Sequence, residues 1–116
     1  MEEKEIFSKL VTKLESLPPE NWRESKSGEE HVIYKTNMGR FIVSLCRDCV
    51  GKIETHVSKY QIIAKEENDD ERISFIGNQY NSEEYYQKRI SDLFNKVSQK
   101  YSKWKKDRIK RLEESL

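Results

Sequence analysis

His31-Val32-Ile33-Tyr34-Lys35-Thr36-Asn37-Met38-Gly39-Arg40-Phe41-Ile42-Val43-Ser44-Leu45-Cys46 is the stretch whose reading decides the fold. His31 to Thr36 is rich in β-branched and aromatic residues and is predicted to form a strand. Asn37-Met38-Gly39 is expected to close a hairpin. Arg40 to Cys46 then returns with Phe41, Val43 and Leu45 alternating against Ile42, Ser44 and Cys46. Successive side chains of a strand point to opposite faces, so one face here is strongly apolar and belongs in a core, while the other is mixed.

Working outward, Ser25 to Glu30 is polar and predicts a turn, with Trp22 before it in a first short strand. On the other side, Arg47 to Gly51 predicts a turn, and Lys52 to Ala64 an extended segment with Ile53, Thr55 and Val57 in alternation, then Tyr60 and Ile62. The phase changes near Ser58-Lys59, which points to a bulge there. The charged run Glu66 to Glu71 is a loop, and Arg72-Ile73-Ser74-Phe75-Ile76 alternates again up to Gly77-Asn78. Every connection is too short for the crossover helix of a parallel pair, so an antiparallel meander of about five strands is expected.

A helix is predicted on each side of this sheet segment. Ile6, Phe7, Leu10, Val11, Leu14 and Leu17 recur at helical spacing until Pro18-Pro19 ends the ladder. After a cap at Asn81 or Ser82, the positions Tyr86, Ile90, Leu93, Phe94, Val97, Tyr101 and Trp104 recur at steps of three and four. The step from Trp104 to Ile109 is five, yet no Gly or Pro interrupts residues 82 to 116. A helix running to about Leu112 would be roughly 45 Å long, whereas a compact body of this size has a radius of gyration of roughly 13 Å. The helix is therefore expected to overhang. The fold class is α+β, one domain over residues 1–116 in which 103–116 form a basic helical extension. Both helices should cover the sheet face carrying Phe41, Val43, Leu45, Ile73 and Phe75, leaving the other face open.

The chain has 116 residues, 34% of them apolar and 37% charged, with 22 basic against 21 acidic side chains. It can bury about 60 to 70% of the surface of its unfolded form. No apolar run approaches a membrane span, and the acidic start Met1-Glu2-Glu3-Lys4-Glu5 is unlike a signal peptide, so a cytoplasmic protein without a membrane partner is expected. The net charge of +1 hides an uneven distribution: residues 1–30 carry −3, residues 31–99 carry 0 and residues 100–116 carry +4.

Candidate chemistry is sparse. Cys46-Arg47-Asp48-Cys49-Val50-Gly51 has the spacing of a metal knuckle, and a hairpin centred on Met38 would bring His31 near Cys46. Cys46, Cys49 and His31 would then form an incomplete zinc set, because pairing about Cys49 and Val50 leaves His56 opposite Val43, roughly 10 Å along the strand. No glycine cluster cradles a phosphate, and no nucleophile elbow surrounds Cys49, His31 or the His56 and Glu54 pair. The acidic run Glu66 to Glu71 lacks the ligand spacing and glycine of a calcium loop. Neither a catalytic residue nor a cofactor is expected.

Aromatic residues are more suggestive. Tyr34, Tyr60, Tyr80, Tyr85, Tyr86, Tyr101, Trp22 and Trp104 exceed what a small core needs, and exposed rings of this kind are enriched at binding hot spots. The leading expectation is a non-catalytic binding protein, such as an inhibitor, immunity factor or mobile-element accessory protein, that occupies a protein or small-ligand partner through Tyr85, Tyr101 and Trp104. Nucleic-acid binding through Lys100, Lys103, Lys105, Lys106, Arg108, Lys110 and Arg111 is the alternative, and a small Cys/His zinc protein a further one. Pairing of two copies along Ile109, Leu112 and Leu116 is compatible with each.

Overall fold

The computed structural model describes residues 2–28, 31–50, 57–78 and 84–116, and the side chains of all these except 49, 50, 57, 58, 76–78, 84 and 85. The architecture is α+β. Helix α1 (Glu3–Glu15) and one turn of 3-10 helix (Pro19–Asn21) precede the strands β1 (Arg23–Ser27), β2 (His31–Met38), β3 (Phe41–Val50), β4 (Val57–Glu66) and β5 (Arg72–Asn78), and α2 (Glu84–Ser115) follows. The strands form one open antiparallel sheet in the order β1-β2-β3-β4-β5.

Four local expectations are corrected. Asn37 and Met38 remain in β2, and the turn lies at Gly39 and Arg40, with Met38 paired to Phe41. Gly39 has φ +61°, a region that residues with a Cβ enter only at a steric cost, so it seats the first turn position. Ser25 to Ser27 are strand rather than turn, because the edge pairing Arg23↔Lys35 to Ser27↔His31 uses backbone groups and asks nothing apolar of the side chains. Arg47 to Val50 likewise continue β3, and Ser58 and Lys59 pair in unbroken register with Cys49 and Asp48, so no bulge lies there. His56, Ile53 and Thr55 lie outside the described residues.

One sheet face carries the core. Val32, Tyr34, Thr36, Val43, Leu45, Ile62, Ala64 and Phe75 are buried on it, beneath Phe7, Val11 and Leu14 of α1 and Ile90, Leu93, Phe94 and Val97 of α2. Phe41 is only half-buried, and Ile73 is 53% exposed although it shares the face of Phe75. Alternation assigns the face, whereas burial also needs a helix overhead, and Ile73 sits on an edge strand toward the hairpin tip. Two aromatic clusters fix the helices on the sheet. Phe7, Phe75 and Tyr86 meet with ring centres 4.6 to 5.9 Å apart, joining α1, β5 and the start of α2. Farther along, Phe94 lies 5.4 Å from Tyr34 and 5.8 Å from Tyr60, and the Arg47 guanidinium stands 5.0 Å from its ring centre.

Tyr34 is the clasp between layers. Its hydroxyl donates to Glu24 Oε2 of β1 at 2.7 Å and, having one proton, accepts from the Ser98 hydroxyl of α2 at 3.2 Å. Burial pushes the phenol up from 10.0 to about 12, with Ser98 opposing the shift and Glu24 reinforcing it. A folded-state value above the unfolded one makes the contribution of this group complete below pH 10 and lost as pH rises through 12. Tyr34→Phe should cost about 1 to 2 kcal/mol at neutral pH by stripping the Glu24 carboxylate of its donor. In urea unfolding, the difference between wild type and variant should shrink between pH 10 and 12; a constant difference would show that the hydroxyl is not held in this way.

The α2 helix has 32 residues and is about 48 Å long. Its apolar side is buried up to Val97, Tyr101 and Trp104 are half-buried, and residues 105–116 are exposed throughout. The radius of gyration is 15.5 Å and the longest axis 52 Å, against the roughly 13 Å of a compact chain of this length. The overhang is the cause. Among the described residues no helix is long and apolar enough to cross a membrane.

Candidate binding surfaces

The helix leaves the sheet at Tyr101. This ring lies 5.5 Å from Tyr34 on one side and 5.5 Å from Trp104 on the other, and the Arg108 guanidinium stands 4.9 Å from the Trp104 ring centre. Beyond this stack, Tyr101, Lys105 and Ile109 form one i,i+4 ridge, and Trp104, Arg108 and Leu112 a second. Together these six residues line a groove of about 350 Å³ along the arm. Ile109 is 56% exposed, Leu112 61% and Leu116 99%. Of the three residues expected to bind a partner, Tyr101 and Trp104 therefore stand at the root of the arm, and the side chain of Tyr85 lies outside the described residues.

The basic residues of the segment divide. Lys100 Nζ donates to the Glu15 carbonyl at 3.1 Å, and Lys96 Nζ lies 3.5 Å from Glu15 Oε1, so both serve the last turn of α1, where cations are favoured. Lys103, Lys105, Lys106, Arg108, Lys110 and Arg111 are exposed. Trp104, with Arg108 over its ring and Tyr101 beside it, is not presented as an open platform for a base.

Two of the proposed zinc ligands, His31 and Cys46, fall on the opposite, open face of the sheet. The turn at Gly39 and Arg40 shifts the register, so His31 pairs with Asp48 and Cys46 with Ile33. His31 Nδ1 lies 2.6 Å from Asp48 Oδ1, and Gln61 Nε2 donates to Asp48 Oδ2 at 3.5 Å. Cys46 is free and buried, its thiol pushed up from 9.0 to about 11 by burial and, to a lesser degree, by Asp48, while Lys35 opposes the shift. The Cys49 side chain lies outside the described residues. Among the described residues, no three His, Cys, Asp or Glu side chains come together as a metal site. Val43 stands opposite Ala64, not His56, because β3 and β4 pair as far as Val50↔Val57 and their connection lies later in the chain.

The open face also carries a pattern that the sequence reading did not single out. Arg23, Lys35, Lys59, Lys65 and Arg72 share it with Ile33, Ile42, Ile63 and Ser44. A shallow basin of about 350 Å³ lies over this face, lined by the three isoleucines, Ser44, Cys46 and the cations Lys35, Lys65 and Arg72. The signal was present as charges at alternate strand positions, but the acidic run Glu66 to Glu71 brings the regional sum to zero and conceals it. In comparisons with known proteins, no family, no curated protein and no solved structure matches the chain.

Proposed function

We propose that this is a non-catalytic binding protein, an inhibitor or accessory factor in kind, whose α2 arm docks a protein partner. The observation that carries this reading is the exposure of Ile109, Leu112 and Leu116 on a helical segment that has left its own core. A helix is usually kept in place by burying its apolar side. Here the side continues past the body with nothing from the other described residues upon it. Covering the exposed halves of Ile109 and Leu112 would contribute roughly 1 kcal/mol each, and the surrounding Lys and Arg residues favour a partner groove with acidic rims. Nucleic acid is the weaker reading, since Lys100 is engaged with Glu15 and the Trp104 ring is covered by Arg108.

The test uses the tagged full chain beside Ile109→Asp/Leu112→Asp, a pair of exposed substitutions that should change stability by no more than about 0.5 kcal/mol each. Affinity capture followed by mass spectrometry, with nuclease present, should recover a protein with the wild type and lose it with the variant. Equal recovery by both would remove the arm from the interaction, and recovery that disappears on nuclease treatment would transfer the arm to polynucleotide binding.

A further inference from the structure

We infer that the open face of the sheet is a second docking site, shaped for an acidic amphipathic helix of a protein partner. The inference does not rest on the arm, which belongs to a different element and is altered by different substitutions. It begins from the sign of the charges. Across the chain basic and acidic residues are nearly equal, 22 to 21. On this face, among the described residues, Arg23, Lys35, Lys59, Lys65 and Arg72 stand against Asp48 alone. That carboxylate already has His31 on one oxygen and Gln61 on the other. A solvated strand face normally mixes both signs, because interspersed charges repel least.

The second observation is how the charges are arranged. Ile33 on β2, Ile42 on β3 and Ile63 on β4 lie in the middle of the sheet, and Cys46, buried beside Ile33, adds to their apolar ground. Arg23 and Lys35 flank this ground on the β1 and β2 side, and Lys65 and Arg72 on the β4 and β5 side. Strands are spaced by about 4.8 Å, so Lys35 and Lys65 lie two strand spacings apart, roughly 10 Å, and Arg23 and Arg72 four, roughly 19 Å. Those spans bracket one helix, whose diameter with side chains is about 10 to 12 Å. A helix with an apolar stripe and Glu or Asp on both shoulders would place the stripe on the isoleucines and each shoulder beside a cationic border.

The ring distribution separates this partner from a polynucleotide. Trp22, Tyr34 and Phe75 belong to the core on the other side of the sheet, and Tyr60 and Phe41 pack against that same core. The open face thus offers isoleucine methyls where single-stranded nucleic acid would need aromatic platforms.

The experiment is a methyl and amide NMR titration of the isotopically labelled full chain. Three probes are used in turn: a synthetic acidic amphipathic helical peptide with a leucine stripe flanked by glutamates, the same peptide with lysine at every glutamate, and an oligothymidylate. The acidic peptide should shift the methyl signals of Ile33, Ile42 and Ile63, and the lysine peptide should not. In Lys35→Glu/Lys65→Glu/Arg72→Glu the affinity should fall about tenfold or more, equivalent to about 1.4 kcal/mol or more. These positions lie on the solvent side of the sheet, and unchanged core methyl signals of Val43, Leu45 and Ile62 would verify that the variant is folded. Shifts confined to residues 101–116 would assign acidic-peptide binding to the arm and overturn the inference. So would oligothymidylate shifting the same isoleucines more strongly than the peptide, or a complete absence of shifts.

Discussion

Phe94→Ala is expected to remove about 3 to 5 kcal/mol of stability, much of what a small domain possesses. Phe94 is 1% exposed and meets Tyr34, Tyr60 and Arg47, which belong to β2, β4 and β3. A single ring of α2 thus touches three of the five strands. Truncating it withdraws the buried area and leaves a cavity that two tyrosine rings and a guanidinium, each held on a separate strand, cannot readily fill. The loss would extend beyond packing, because Ser98 and Tyr101 meet Tyr34 one turn or two farther along the same helix. Equilibrium denaturation with guanidinium, followed by tryptophan fluorescence and circular dichroism, measures the change. Ile109→Ala, made on the arm where the residue is 56% exposed, is the matched control and should stay within about 0.5 kcal/mol of wild type. A Phe94→Ala loss below about 1 kcal/mol would mean that α2 is not seated on the sheet through this ring.

The second large effect is chemical. Cys46 should react with iodoacetamide about 100-fold more slowly in the folded chain than in guanidinium, at any pH from 7 to 8.5. Raising the thiol from 9.0 to about 11 lowers the thiolate fraction a hundredfold at a fixed pH below both values. Limited access to the sulfur, at 4% residue exposure, can only add to the protection. The rate is followed on the peptide that contains Cys46, which separates it from Cys49. Lys35→Ala should slow the folded reaction further, since Lys35 is the charge that partly opposes the upward shift. Comparable rates in the folded and unfolded chains would show that Ile33 and its neighbours leave this side of the sheet open to the reagent, and would remove the apolar floor on which the open-face site depends.

The helices and the faces of the strands were legible in the residues themselves. Pro18-Pro19 stops a helical ladder wherever it occurs, so α1 ends at Glu15 just ahead of it. The spacing from Tyr86 to Trp104 marks the side of α2 that meets the sheet, and the absence of Gly and Pro after Ser82 allows the helix to outrun it. Phe41, Val43 and Leu45 announce their common face through alternation alone. Register was less legible. Asn37-Met38-Gly39 and Gly39-Arg40 are both credible turns, and the choice moves His31 from Cys46 to Asp48. The same holds for Arg47 and Asp48, polar residues that resemble a turn until Phe94 and His31 are placed beside them.

Of the candidate surfaces, the arm was foreseen from helix length against body size, whereas the cationic face was not, because its residues come from four strands and their charges are cancelled in the linear sum by Glu66 to Glu71. Periodicity and chain breakers act between residues a few positions apart, which is why the amino-acid order alone determined an α+β chain with a sheet apolar on one side and a helix longer than its support. Pairing between strands is a contest among many nearly equal backbone ladders, decided by what packs above them. Only the assembled tertiary structure could therefore choose the registers, give Asp48 to His31, close Tyr34 between Glu24 and Ser98, and gather Arg23, Lys35, Lys59, Lys65 and Arg72 on one side of the sheet.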